Sequence, residues 1–192
     1  MPTTLLALGL TLLTASGQGL RTVERTIQSY AYGKRTYTCL ALDGGVVPLF
    51  VPADAKLTAS GNLKITWPAD QATAVIRPAT AEESALLDGA SQPNGRELWQ
   101  KALLAYLHDP GFEYSVGEFQ PAAPPINHWR IAEMTLIYSL GGVKAGRMLL
   151  VWRTQDDTTL ALTMQSGFNT FQNHCDALHS MINGAMILKN EP

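Results

Sequence analysis

The sequence predicts an α+β fold, an antiparallel β-sheet flanked by helices with the C-terminal helix packed on the sheet. Segments in the first and last thirds alternate apolar and polar residues with period two, as strands with one buried face do. The middle and the stretch near the C-terminus repeat apolar residues at helical spacing. Short turn sequences join successive alternating segments, so hairpins are the natural connection.

The chain of 192 residues is long enough for one well-packed core. Apolar residues make up 46% and charged residues 16%, the latter below the roughly 25% usual in soluble domains. Fourteen basic against sixteen acidic side chains leave a net charge of −2. That balance offers no electrostatic footprint for nucleic acid and no polybasic patch for anionic lipid. High apolar content with low net charge also argues against intrinsic disorder. With no repeat, low-complexity tract or long linker, residues 18–192 read as one domain.

Residues 5–15 form a Leu-rich apolar run that ends in Ala15-Ser16-Gly17. Small residues at the third and first positions before Gln18 resemble a signal-peptidase site, and the run is too short to cross a bilayer core of about 30 Å. Residues 1–17 are therefore expected to be a signal peptide, although neither Lys nor Arg precedes the run. The alternative is a hydrophobic first strand or helix of the fold. With no Cys close behind the run, lipid anchoring is not expected. The protein would then be periplasmic or secreted, with no stable membrane anchor after cleavage.

Residues 36–42 and 46–51 flank Asp43-Gly44-Gly45, a hairpin signal. In residues 62–67, Leu63, Ile65 and Trp67 oppose Asn62, Lys64 and Thr66, and a four-residue link leads into a strand over 72–77. Thr80-Ala81-Glu82-Glu83 has the form of a capping box, which Asn94-Gly95-Arg96-Glu97 repeats. Leu98, Ala102 and Tyr106, beside Trp99, Leu103 and Leu107, predict a helix with a broad apolar stripe, ended by Asp109-Pro110-Gly111. A Pro-rich loop follows over 120–128.

The last third predicts a three-strand antiparallel meander. Its apolar faces are Met134, Leu136 and Tyr138, then Met148, Leu150 and Trp152, then Leu160, Leu162 and Met164. Turns fall at Gly141-Gly142 and Asp156-Asp157. A helix beginning at Asn169, with Gln172 as its box partner, carries Phe168, Phe171, Cys175, Leu178 and Ile182 toward the sheet and closes near Gly184.

This order of hairpins, helix, Pro-rich loop, meander and closing helix resembles the Mog1/PsbP-like group, an α/β/α sandwich around an antiparallel sheet. The resemblance rests on residues 47–78, with Leu63-Lys64-Ile65-Thr66-Trp67, and on residues 129–188. There Met134-Thr135-Leu136-Ile137-Tyr138-Ser139 leads through two strands into Phe168-Asn169-Thr170-Phe171. It covers about half the chain and lies in pattern and element order. It implies a non-enzymatic role, since that group comprises small binding or assembly factors. They include extrinsic photosystem subunits, a nuclear-transport GTPase partner and bacterial envelope lipoproteins. No binding residue transfers from the group, and fold alone does not fix function.

The common nucleotide, hydrolase, zinc-protease and EF-hand fingerprints are absent from the sequence. Neither a catalytic residue nor a metal site or cofactor is expected. Cys39 shares a strand face with Tyr37 and Ala41, and Cys175 lies on a helical apolar stripe, so both face inward. In an oxidising compartment they could form one disulfide, worth at most roughly 4–5 kcal/mol in the chain-entropy model. The leading reading of the inward positions is two buried, unreactive thiols. His174 and His179 are five residues apart, about 140° around a helix, so they cannot share a metal and read as helix-flank residues. His108 suits a helix C-terminus. His128, Trp129 and Arg130, leaving a loop for a strand, form the candidate binding cluster, in which an aromatic and a cation could clamp a carboxylate or peptide. The competing reading is a Trp buried at the sheet edge. The adjacent carboxylates Glu82-Glu83 and Asp156-Asp157 belong to a helix start and a turn.

The leading expectation is an exported, non-enzymatic binding or assembly module that engages a protein partner across a sheet face or the loop at 121–129. The alternative is an envelope hydrolase or small-ligand carrier. A deep pocket with a strongly shifted titratable group would favour the alternative, and a shallow surface with exposed aromatics the module.

Overall fold

Alternation becomes pairing in the computed structural model, which describes residues 20–29, 33–42, 45–105, 113–121, 129–154 and 157–183. In chain order the elements are β1 (Arg21–Ser29), β2 (Gly33–Leu42), β3 (Gly45–Pro48), β4 (Lys56–Ser60), β5 (Asn62–Trp67), β6 (Ala72–Pro78), α1 (Ala81–Gly89), α2 (Gly95–Ala105), β7 (Glu113–Gln120), β8 (Arg130–Leu140), β9 (Val143–Arg153), β10 (Thr159–Gly167) and α3 (Phe168–Asn183). Strands β1–β3 form one sheet, and the other seven form a second in the order β4-β5-β6-β10-β9-β8-β7. Each neighbouring pair among these is antiparallel. The expected signal segment, His108, the helix stop at 109–111, His128 and the tail from Gly184 lie outside the described residues.

The expected hairpins form. Pairing of β2 with β3 closes at Leu42 and Gly45, and β5 pairs with β6 from Leu63–Ile76 to Trp67–Ala72. The β8–β9 turn is Gly141-Gly142, with φ of 56° and 81°. A two-residue hairpin of this kind needs left-handed backbone at both positions, which glycine adopts without steric cost. At the β9–β10 turn, the Thr154 amide donates to the Thr158 carbonyl at 2.9 Å. Pairing of β6 with β10, from Leu160–Pro78 to Gln165–Thr73, joins the early hairpin to the late meander in one sheet.

Both faces of this sheet are covered. Leu63, Ile65, Ile76, Leu150 and Leu162 meet Phe171, Cys175, Leu178 and Ile182 of α3, and Leu40 and Val47 of the small sheet extend the same core. On the opposite face, Met134, Leu136, Leu149 and Val151 meet Leu87, Trp99 and Leu103 of α1 and α2. Consecutive residues of β9 are thus buried on both sides, as in a central strand. Each fully buried Leu or Met contributes about 1.5–3 kcal/mol.

The capping box of α1 is present: the Glu83 amide donates to Thr80 Oγ1 at 3.2 Å, and the Thr80 amide to Glu83 Oε2 at 2.8 Å. Glu83 also receives two bonds from the Arg77 guanidinium, at 2.6 and 2.7 Å, which tie the end of β6 to the helix start. The expected second box does not form, because among the described residues no side-chain bond joins Asn94 to Glu97. Instead α2 starts against α1, where a Cβ on Gly95 would lie 2.3 Å from the Ala90 carbonyl oxygen. The indole N–H of Trp99 donates to the Leu86 carbonyl at 2.9 Å.

Two stripes are narrower than the sequence predicts. Leu98 is 43% exposed and Phe168 is 48% exposed. Leu98 lies on the edge of α2 turned from the sheet, and Phe168 precedes the point where α3 settles onto the strands. The latter begins at Phe168 rather than Asn169. Gln172 bonds Asp176 rather than completing a box.

Candidate ligand-binding cleft

A cleft of about 570 Å³ opens between one face of α3, from Phe168 to His179, and the β7–β8 edge of the large sheet. Two glycines shape it. A Cβ on Gly146 of β9 would lie 2.2 Å from the Phe171 ring, so the bare backbone there lets α3 approach the sheet. On β7 the register shifts between Val116 and Phe119. Within this bulge the Glu118 amide donates to Thr135 Oγ1 at 2.9 Å. A Cβ on Gly117 would meet the same hydroxyl at 2.3 Å. Bulges re-aim side chains at sheet edges, and Glu118 and Gln120 both line the cleft.

The chemistry lies in the inner wall. Glu133 of β8 is only 5% exposed, and its Oε2 is 2.6 Å from Nε2 of the partly exposed His179. The hydrogen bond to Glu133 raises the His179 pKa above its ordinary 6.5 against the opposing effect of burial, with the charges of Glu133, Asp176 and Glu118 adding to the rise. Protonated, the ring and the carboxylate make a charge-assisted hydrogen bond in a poorly solvated wall. Cys175 also lines the cleft, but burial first, then the charges of Glu133 and Asp176, pushes its thiol up to about 12. It is therefore a thiol rather than a nucleophilic thiolate at neutral pH.

A second polar chain lies behind α3. Ser166 Oγ is 2.7 Å from His174 Nδ1, and His174 Nε2 is 3.0 Å from Asp70 Oδ2. The order serine, histidine, carboxylate is that of an acyl-transfer triad. Its surroundings are not: Ser166 is 2% exposed, and the His174 ring packs tilted against Trp67 with centroids 4.5 Å apart. The serine hydroxyl also has the Gly167 carbonyl at 3.2 Å and the Thr170 hydroxyl at 3.1 Å. An acyl group has no path to it, and the chain serves as a tether from the β5–β6 turn to α3. His174 is thus a buried core residue rather than a flank residue. Its place three after Phe171 and four before Leu178 was the sequence signal for this.

Within the candidate cluster, Trp129 is 3% exposed and packs in the core on the α3 side, while His128 lies outside the described residues. Arg130 points to the other face, where its guanidinium meets Asp88 at 3.0 Å. Trp129 and Arg130 are therefore not brought together as a clamp. Asp88 is also bonded by Arg153 at 3.0 and 3.1 Å. That hydrogen bonding, with the charges of both arginines, holds its carboxyl below the usual carboxylate range. Cys39 and Cys175 are buried free thiols, and burial pushes Cys39 up to about 11. Sequence spacing missed Glu133 and Glu118. Alternation assigned Met134, Leu136 and Tyr138 to the core and left the other face of β8 unread. Among the described residues, no group of three His, Cys, Asp or Glu side chains could hold a metal ion. Nor is any described helix long and apolar enough to cross a membrane.

No protein-family model matches the chain, and no curated protein matches it either. Among solved structures it is similar to LpqN of Mycobacterium tuberculosis, described as involved in cell envelope biogenesis. The identity is 19%, with 76% of this chain and 86% of that one covered, at a TM-score of 0.45. It is also similar to PA94 of Pseudomonas aeruginosa, a protein of unknown function described as a putative regulator. There the identity is 12%, with 81% and 98% covered, at a TM-score of 0.42. The likeness is one of outline and brings no ligand, partner or residue role to this chain.

Proposed function

We propose that the protein is an exported, non-catalytic binding module that engages a protein partner at the cleft between α3 and β7–β8. The observation that carries this reading is an open cleft of about 570 Å³ at a sheet edge with the exposed ring of Phe168 in its lining; the buried carboxylate and raised histidine in its wall are the features that favour the alternative, a small-ligand carrier. Ligand sites commonly span about 300–1,000 Å³, and a shifted titratable group in a concavity marks a functional candidate. Against catalysis stand the raised thiol of Cys175 and the enclosure of Ser166. Export rests on the apolar run and small-residue pattern of residues 1–17. Helices on both faces of an antiparallel sheet agree with the Mog1/PsbP-like resemblance, whose members act by binding.

The test places a photoreactive amino acid at Gln172, exposed at the cleft, and in a second strain at Arg96, exposed on α2. Both are irradiated in the native host. A discrete adduct from position 172 and none from 96 supports the reading. Equal adducts from both positions, or none from 172, would contradict it.

A further inference from the structure

We infer that the cleft receives a cationic head group, an alkylammonium or guanidinium carried by a side chain of the partner polypeptide. Glu133 and Glu118 would take its N–H donors, and Phe168 and Phe171 would pack on its stem. This rests on the cleft being the recognition site and adds what it recognises.

The first support is the charge of the wall. Glu118 and Glu133 line the cleft against one imidazole, with neither Lys nor Arg among the described lining residues. Asp176, on the same turn of α3 as Cys175, adds negative potential that both His179 and Cys175 feel. Even with His179 protonated and the Lys144 ammonium beside Phe168 at the mouth, the three carboxylates Glu118, Glu133 and Asp176 outnumber the two cations.

The second is the hydrogen-bond inventory. The Gln120 side-chain amide already donates to Glu118 Oε1 at 3.0 Å, and that of Gln172 to Asp176 Oδ1 at 2.9 Å. The carbonyl oxygens of these amides remain as acceptors. Among the described residues, no group donates to the second oxygen of Glu133. The cleft is rich in acceptors and poor in donors, which suits a ligand with three to five N–H groups and no acceptor. The third is aromatic. The ammonium of Lys144 already lies over the Phe168 ring, 5.7 Å from its centroid, so a ring at the mouth is placed to hold a cation.

The full chain is titrated by NMR, following the His179 ring and the Gly117 amide. The probes are n-butylammonium, n-butylguanidinium, butanol and butyrate, together with a blocked tripeptide bearing a central lysine and its norleucine counterpart. The two cations and the lysine peptide should give saturable shifts that weaken with salt, whereas butanol, butyrate and the norleucine peptide should give none. Glu133→Gln should weaken cation binding about ten- to a hundredfold. Glu118→Gln, on an exposed edge strand, should weaken it as well and keeps the test open should Glu133→Gln not fold.

Binding should tighten as pH rises through the His179 titration, since imidazolium competes for Glu133. The groups facing that ring are Glu133 from β8, Glu118 from β7, and Asp176 and Cys175 from α3. Butanol or butyrate binding as well as butylammonium would overturn the inference while leaving the cleft a binding site. Free amine binding without the lysine peptide would overturn the polypeptide source. Silence from every probe at both resonances would overturn the inference and count against the cleft as well.

Discussion

Glu133 and His179 are bonded to each other across the cleft wall at 2.6 Å. The carboxylate is nearly enclosed, so its stability rests on the imidazole 2.6 Å away. The folded pKa of His179 lies above 6.5. Its stabilising contribution is therefore present in full below about 6.5 and is lost as pH rises through the folded value. A denaturation series across that window should show this loss in the wild type and not in His179→Gln. Trp129 belongs to the same scale. Buried at 3% exposure, it should cost about 3–5 kcal/mol on change to alanine, measurable by denaturant unfolding. A neutral result would place its side chain outside the core. Individual residues were only partly legible. Cys39 and Cys175 face inward as strand and stripe positions required. The pairs that matter most join residues 46 and 104 positions apart, and spacing along the chain carries no information about such partners.

Elements were legible in proportion to what they bury. Strands β5, β6, β8, β9 and β10 show clear apolar alternation because α3, α1 and α2 cover them. Strands β1, β4 and β7 are not legible in the sequence. Each lies at a sheet edge; β4 is mostly exposed and no residue of β7 is buried, so hydrophobic contrast between their faces is weak. Polar, bulged edges of this kind also discourage pairing with other chains. Helix starts were legible where side chains make the cap. Thr80→Ala should therefore cost about 0.5–2 kcal/mol, read from the unfolding midpoint, while Asn94→Ala should cost less because its side chain caps nothing among the described residues. Helix seating was not legible, since it depends on close approach. Gly146→Ala puts a methyl into the Phe171 ring. It should cost about 1–3 kcal/mol as an overpacked contact, and a stability equal to wild type would show that α3 rides higher than described.

For the whole molecule, the β6–β10 seam is decisive. It joins the early hairpin to the late meander, so α3 packs on strands from both ends of the chain. One cooperative unfolding transition should result. Leu162, buried beside that seam and under α3, should lower the whole transition by about 2–5 kcal/mol when changed to alanine. Two separable transitions would mean that the seam does not couple the halves. Thiol chemistry gives an independent view of the same unit. Cys39 and Cys175 are buried, with pKa values pushed to about 11 and about 12. Alkylation of each should await global unfolding, and fast reaction at either position under native conditions would reveal local opening.

A buried carboxylate and a histidine on α3 form one coupled group in the wall of the cleft. NMR titration of the His179 ring, in the wild type and in Glu133→Gln, reads that coupling. A wild-type midpoint above 6.5 that drops in the variant is the expected result. A wild-type midpoint at or below 6.5, unmoved by the substitution, would contradict the pair and remove the cleft's claim to be the site.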